Sequence, residues 1–109
     1  MDIHDQHQDG QLRIMLVGRF DAHETAAFRA HADAVLAQQP GLTLRIDLSQ
    51  VIFVDSSALA ELLRTMRSAR FAGGELVLVD PSDPLRVILE MTALDTTFVI
   101  ESTAPAAAP

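Results

Sequence analysis

The sequence predicts a single α/β domain whose sheet is covered by helices mainly on one face. Over "LTLRIDLS", residues 42–49, Leu42, Leu44, Ile46 and Leu48 alternate with Thr43, Arg45, Asp47 and Ser49, so a strand here has one apolar and one polar face. A sheet sandwiched between two helix layers shows near-continuous apolar runs instead. Further on, a segment of helical period separates this strand from a second apolar run, "ELVLVD". Strand, helix, strand requires a parallel pair with a right-handed crossover. At 109 residues the chain is long enough for one core and too short for two.

The elements follow in order. Residues 1–10, "MDIHDQHQDG", carry no apolar period and are expected to be a flexible tail. "QLRIMLVG" alternates, with Leu12, Ile14 and Leu16 against Arg13, Met15 and Val17, and reads as a strand closed by Gly18. Asp21 and Glu24 have capping-box spacing for a helix over about residues 22–38, with Phe28, Ala32, Val35 and Leu36 on one stripe and "QPG" as its stop. After the strand at 42–49 and the short run "VIFV", Asp55, Ser56 and Ser57 precede Leu59, Leu62, Leu63 and Met66. That spacing is an amphipathic helix, ended by Gly73 and Gly74. "ELVLVD" is a strand, and Asp83 as N-cap with Pro84 at the first helical position opens another helix. "TTFVI" is read as a last short strand. The segment "APAAAP" is low in complexity, so residues 102–109 are expected to be disordered, which leaves residues 11–101 as the domain.

Composition excludes several functions. Apolar residues make up 49% and charged ones 21%, the profile of a folded globule. Net charge is −7, and all eight basic residues are arginines scattered from Arg13 to Arg86, which gives no basic stripe for nucleic acid. An acidic surface steers toward a basic partner. Cysteine is absent, excluding disulfides, thiolate catalysis and thiolate metal sites. No stretch has the length of a membrane span, and the first residues are acidic where a signal peptide is basic then apolar. The expected location is the cytoplasm, with no membrane partner.

Candidate chemistry is sparse. The histidines are His4, His7, His23 and His31, and no serine sits in a G-x-S-x-G elbow, so no catalytic residues are assigned and no enzyme is expected. His4 and His7 near Asp2, Asp5 and Asp9 read as a solvated tail and not as a metal site. Gly73-Gly74 follows a helix and lacks both a Walker lysine and G-x-G-x-x-G, so it is a helix stop and no nucleotide or other cofactor is expected. Arg64, Arg67 and Arg70 recur every three residues; they are either a solvated face, with Glu61 pairing to Arg64, or part of a docking surface.

Asp55-Ser56-Ser57 is the exception. Asp and Ser are preferred N-caps, but one residue suffices and three stand in a row. A first-turn hydroxyl sits among backbone N–H groups without intrahelical partners. Phosphorylation there adds a charge of about −1.5 to −2 that a helix N-terminus accepts. Binding to that surface would change while the fold stays intact.

These segments resemble the STAS domain family, specifically bacterial anti-sigma-factor antagonists, from about Leu12 to Ile100. The resemblance rests on "LVGRFDA", "LRIDLSQVIFVDSSALAELL" and "GGELVLVDPSDPLRVILEMTALDTTFVI". The middle segment is the specific one, where the family reads strand, Asp-Leu-Ser, a short apolar run, Asp-Ser-Ser-Gly, helix. The resemblance implies a small mixed sheet with helices mainly on one face and a partner-switching role in transcription regulation. It implies binding to a cognate anti-sigma factor that is also a serine kinase, release on phosphorylation of Ser57, and resetting by a serine phosphatase. The implied partner-binding positions are the motif residues Asp55, Ser56, Ser57 and Ala58, and the docking surface is expected to take in Arg64 and Arg67 from their spacing along the same helix. Ala58 stands where the family usually has glycine. The alternative is a constitutive STAS scaffold subunit of a lipid-transport or signalling complex, in which the serines are only caps.

Overall fold

Satisfying the backbone of a strand needs a neighbour on at least one edge, and the computed structural model, which describes residues 1–8 and 11–103, shows how each strand finds one. The order is β1 (Asp2–Gln8), β2 (Gln11–Phe20), α1 (Thr25–Gln38), β3 (Thr43–Val54), α2 (Ser56–Phe71), β4 (Glu75–Val79), α3 (Asp83–Met91), a 3-10 turn (Leu94–Thr96) and β5 (Val99–Glu101). The five strands lie in the order β1-β2-β3-β4-β5, with β1 antiparallel to β2 and every other pair parallel. Each parallel step moves one place in the same direction. Right-handed crossovers therefore put the connecting helices on one face.

The core is built on that face. Ile14, Ile46, Leu78 and Ile100 stand in register across β2 to β5, and Ile3 on β1 lies opposite Leu16. Phe28, Ala32 and Val35 of α1, Leu59, Leu62 and Met66 of α2, and Leu85 and Leu89 of α3 close over this layer. Phe20 and Phe28 meet with ring centroids 5.1 Å apart. On the opposite face Val77 and Val79 are also buried. There the Arg45–Glu101 ion pair, 3.1 Å long, reaches from β3 to β5 across β4. This is why β4 is apolar from Leu76 to Val79 while the first half of β3 alternates.

Several expectations need correction. Residues 2–8 are not a flexible tail: they pair with β2 from Asp2 opposite Val17 to Gln8 opposite Gln11. Backbone pairing on a sheet edge does not need an apolar period, and Asp5 is held from α1 by His31, 2.6 Å away. Asp9 and Gly10 lie outside the described residues, as do 104–109 of the tail expected to be disordered over 102–109, whereas Thr103 is tied down, its amide and hydroxyl both bonded to the Asp80 carboxylate. The capping box does not form. Asp21 Oδ1 instead accepts from the His23 amide, and α1 begins at Thr25 behind Glu24, whose side chain caps nothing. For α3 the N-cap is Ser82, whose carbonyl accepts the Arg86 amide as the first bond of the helix, so Asp83 is already helical and Pro84 stands second. The last strand is shorter and later than "TTFVI", starting at Val99.

The two glycines after α2 have separate tasks. Gly73 takes φ +88°, and its amide and that of Gly74 bond back to Arg70 and Ala69 carbonyls. This is a Schellman ending. Gly74 is needed for space: a Cβ there would lie 2.1 Å from the Leu42 carbonyl oxygen.

β3 is one strand where the sequence suggested two pieces, and it is bent. Between Met15 opposite Asp47 and Val17 opposite Gln50, and again between Gly18 opposite Val51 and Arg19 opposite Phe53, β3 spends one residue more than β2. These are β-bulges. At the first, Asp47 Oδ1 accepts from both the amide and the hydroxyl of Ser49. Beyond Leu48 the buried positions are Val51 and Val54, so the period changes from two to three and Ile52 and Phe53 turn outward.

Candidate functional site at the start of helix α2

β3 delivers the chain to α2 at Asp55, whose extended backbone makes it the N-cap. Its Oδ1 accepts from the Ala58 amide at 2.9 Å, and its Oδ2 accepts from the Ala22 amide, ahead of α1, at 3.0 Å. One carboxylate therefore caps α2 and ties down the approach to α1. The cap needs no serine. Ser56 and Ser57 are exposed, and among the described residues neither hydroxyl has a hydrogen-bond partner.

The other anticipated positions separate. Ala58 is fully buried, its methyl inside the core, so it faces away from solvent. Arg64 is engaged internally, with Nε 2.7 Å from Glu61 Oε1 and its other end 2.8 Å from Asp33 on α1. Arg70 pairs with Glu75 and reaches the Thr97 carbonyl. Arg67 is exposed, with no hydrogen bond or ion pair among the described residues. Of the three regularly spaced arginines, it alone points a free guanidinium outward.

Glu61 holds the two helices together. It is 3% exposed and takes paired bonds from Arg29 Nε and Nη2, the latter at 2.7 Å, as well as the bond from Arg64. Arg29's hydrogen bonds above all, with those of Arg64, hold its carboxyl below the ordinary glutamate range against the opposing cost of burial. The folded-state value is lowered, so the stabilisation is present above the unfolded glutamate value and is lost as pH falls through the lower folded one. We expect the urea midpoint to fall between about pH 5 and about pH 3, and Glu61→Gln to flatten that fall. An unchanged slope in the variant would remove Glu61 from this role.

The sequence reading missed Arg19, Ile52 and Phe53. Ile52 is 66% and Phe53 38% exposed, and the Arg19 guanidinium carbon sits 4.2 Å from the centre of the Phe53 ring. The available signal was "VIFV" itself, four apolar residues in succession at the end of a strand that had alternated. His4 and His7, three residues apart on β1, fall on opposite faces. Among the described residues no group of His, Asp or Glu is placed to hold a metal ion. No helix there is long and apolar enough to cross a membrane.

Comparison with known proteins agrees with this geometry. The family model described as "Mlab, STAS domain" matches residues 3–101. An anti-sigma-B factor antagonist of Listeria monocytogenes is 35% identical over 89 residues, 82% of this chain and 77% of that protein. Among solved structures, an anti-sigma factor antagonist from Mycobacterium paratuberculosis superposes with TM-score 0.79 at 28% identity, covering 92% of this chain and 84% of that one. The Bacillus cell fate determinant SpoIIAA in its phosphorylated form superposes with TM-score 0.73 at 21% identity, covering 94% and 92%. The mixed five-stranded sheet, the one-sided helices and the match over residues 3–101 place this chain in the STAS domain family.

Proposed function

We propose that the chain is an anti-sigma-factor antagonist that binds a cognate anti-sigma factor with serine-kinase activity and is released when Ser57 is phosphorylated. One observation carries the reading: Asp55 alone caps α2 with one oxygen and holds Ala22 with the other, which leaves the Ser57 hydroxyl exposed and uncommitted. Its relatives support the class, being antagonists of anti-sigma factors, and SpoIIAA, which shares the fold, exists in a phosphorylated form. The docking surface comprises Ser56, Ser57 and Arg67 outside, with Asp55, Ala58 and Arg64 shaping it from within. A serine phosphatase resets the switch. The protein acts in the cytoplasm and catalyses no reaction itself.

The test is direct. The protein is incubated with ATP and the anti-sigma factor/serine kinase encoded nearest its gene, and the phosphate is mapped by mass spectrometry. Ser57 is expected to carry it, and Ser57→Ala to take none. Phosphate mapped elsewhere, or nowhere, sinks the assignment. A phosphate-free protein that binds a transporter ATPase instead would establish the scaffold alternative.

A further inference from the structure

We propose that Arg19, stacked on Phe53 beside the exposed Ile52, sets the register of the partner, and that the anti-sigma factor presents a carboxylate to Arg19 within an apolar contact on Ile52 and Phe53. The inference rests on the function proposed above and names the chemistry of its interface.

Arg19 pairs with Phe53 across β2 and β3, at the end of the sheet where the chain turns through Asp55 into Ser56 and Ser57. The stack leaves the guanidinium side chain 58% exposed. Its nearest carboxylate, Asp21 Oδ2, is 3.8 Å away, beyond hydrogen-bond reach, while Asp21 Oδ1 is taken by the His23 amide. Asp55 makes no ion pair with it, and its two oxygens hold the Ala22 and Ala58 amides. Four other arginines, Arg29, Arg45, Arg64 and Arg70, each have a carboxylate at hydrogen-bond distance. Among the described residues Arg19 therefore has its plane fixed by an aromatic face, one long ion pair to Asp21 and no hydrogen bond from its donors, the state suited to a carboxylate arriving from outside.

The apolar neighbours point the same way. Ile52 is the extra residue of the second bulge, and its exposure contributes nothing to this chain's own core. Aromatic and arginine anchors beside exposed aliphatic surface are the composition of binding hot spots. The net charge of −7 draws in a basic partner from a distance, and a single local cation then penalises wrong registers.

Isothermal titration of the full chain against the same purified anti-sigma factor tests this. Arg19→Glu is expected to weaken binding by about thirtyfold or more, and Ile52→Asp by about tenfold. Arg19→Lys, which keeps the charge and loses the planar stack, is expected to weaken it by about three- to tenfold. Arg86→Glu, an exposed arginine on α3, is the control and should bind as the wild type does. Thermal melts confirm that each variant is folded. If Ser57→Asp loses binding while Arg19→Glu and Ile52→Asp bind normally, the register proposal falls and the antagonist reading stands. A Lys variant of full affinity overturns the stacked arrangement. Should the unmodified protein bind no anti-sigma factor, the antagonist reading fails and takes this inference with it.

Discussion

Ser57→Asp is expected to lose roughly one to two orders of magnitude in affinity for the cognate anti-sigma factor, the cost of an unpaired charge forced into an interface, while its melting temperature stays at that of the unsubstituted protein. Stability is retained for a local reason. Asp55 satisfies the Ala58 amide and, through its carbonyl, the Leu59 amide. The amides of Ser56 and Ser57 have no acceptor among the described residues, so the positive end of α2 remains open to an anion. Affinity falls because the same carboxylate meets whatever covers the first turn. Ser57→Ala should bind like the wild type, which separates loss of the hydroxyl from gain of charge. A Ser57→Asp protein that melts several degrees lower, or binds unchanged, would contradict this account.

Gly74→Ala is expected to cost about 3 kcal/mol, at the upper end for forcing atoms into a packed site. Gly73→Ala, one residue earlier, should cost about 1–2 kcal/mol. The order matters more than the values. At Gly73 a Cβ would meet nothing within 4 Å, so the penalty is only that of φ +88° for an L-residue. At Gly74 the new carbon would lie 2.1 Å from the Leu42 oxygen and 2.9 Å from two further backbone carbons. Backbone cannot swing aside as a side chain can, and the Leu42 carbonyl also accepts from the Glu75 amide where β4 joins β3. Urea titration of the two variants decides it, and a milder Gly74→Ala would show that this junction yields.

Much of this was legible in the residues. The alternation from Leu42 to Leu48 forecast a one-sided sheet, the spacing of Leu59, Leu62 and Met66 forecast α2, and Asp55 was a cap on sight. Most of what escaped depended on partners distant in sequence. β1 is held by the edge of β2, which its own polar residues do not announce, although Asp9-Gly10 is the dipeptide that favours short hairpin turns. Asp21 and Glu24 had the spacing of a capping box, but the Asp21 carboxylate is taken by the neighbouring His23 amide. Arg64 read as a surface residue because Asp33, the acid on α1 that holds it, lies 31 residues away. The bulges of β3 were hidden for the same reason: a bulge is a relation between two strands, and only the pairing with β2 reveals it.

Those bulges divide the labour within a single strand. Up to Leu48, β3 serves the core; from Ser49 onward most of its side chains face solvent. Residues that define identity can therefore vary without eroding the residues that define stability. A cell carrying several such domains could keep their signalling circuits insulated from one another by changing Ile52, Phe53 and the facing Arg19, each on the same unaltered frame.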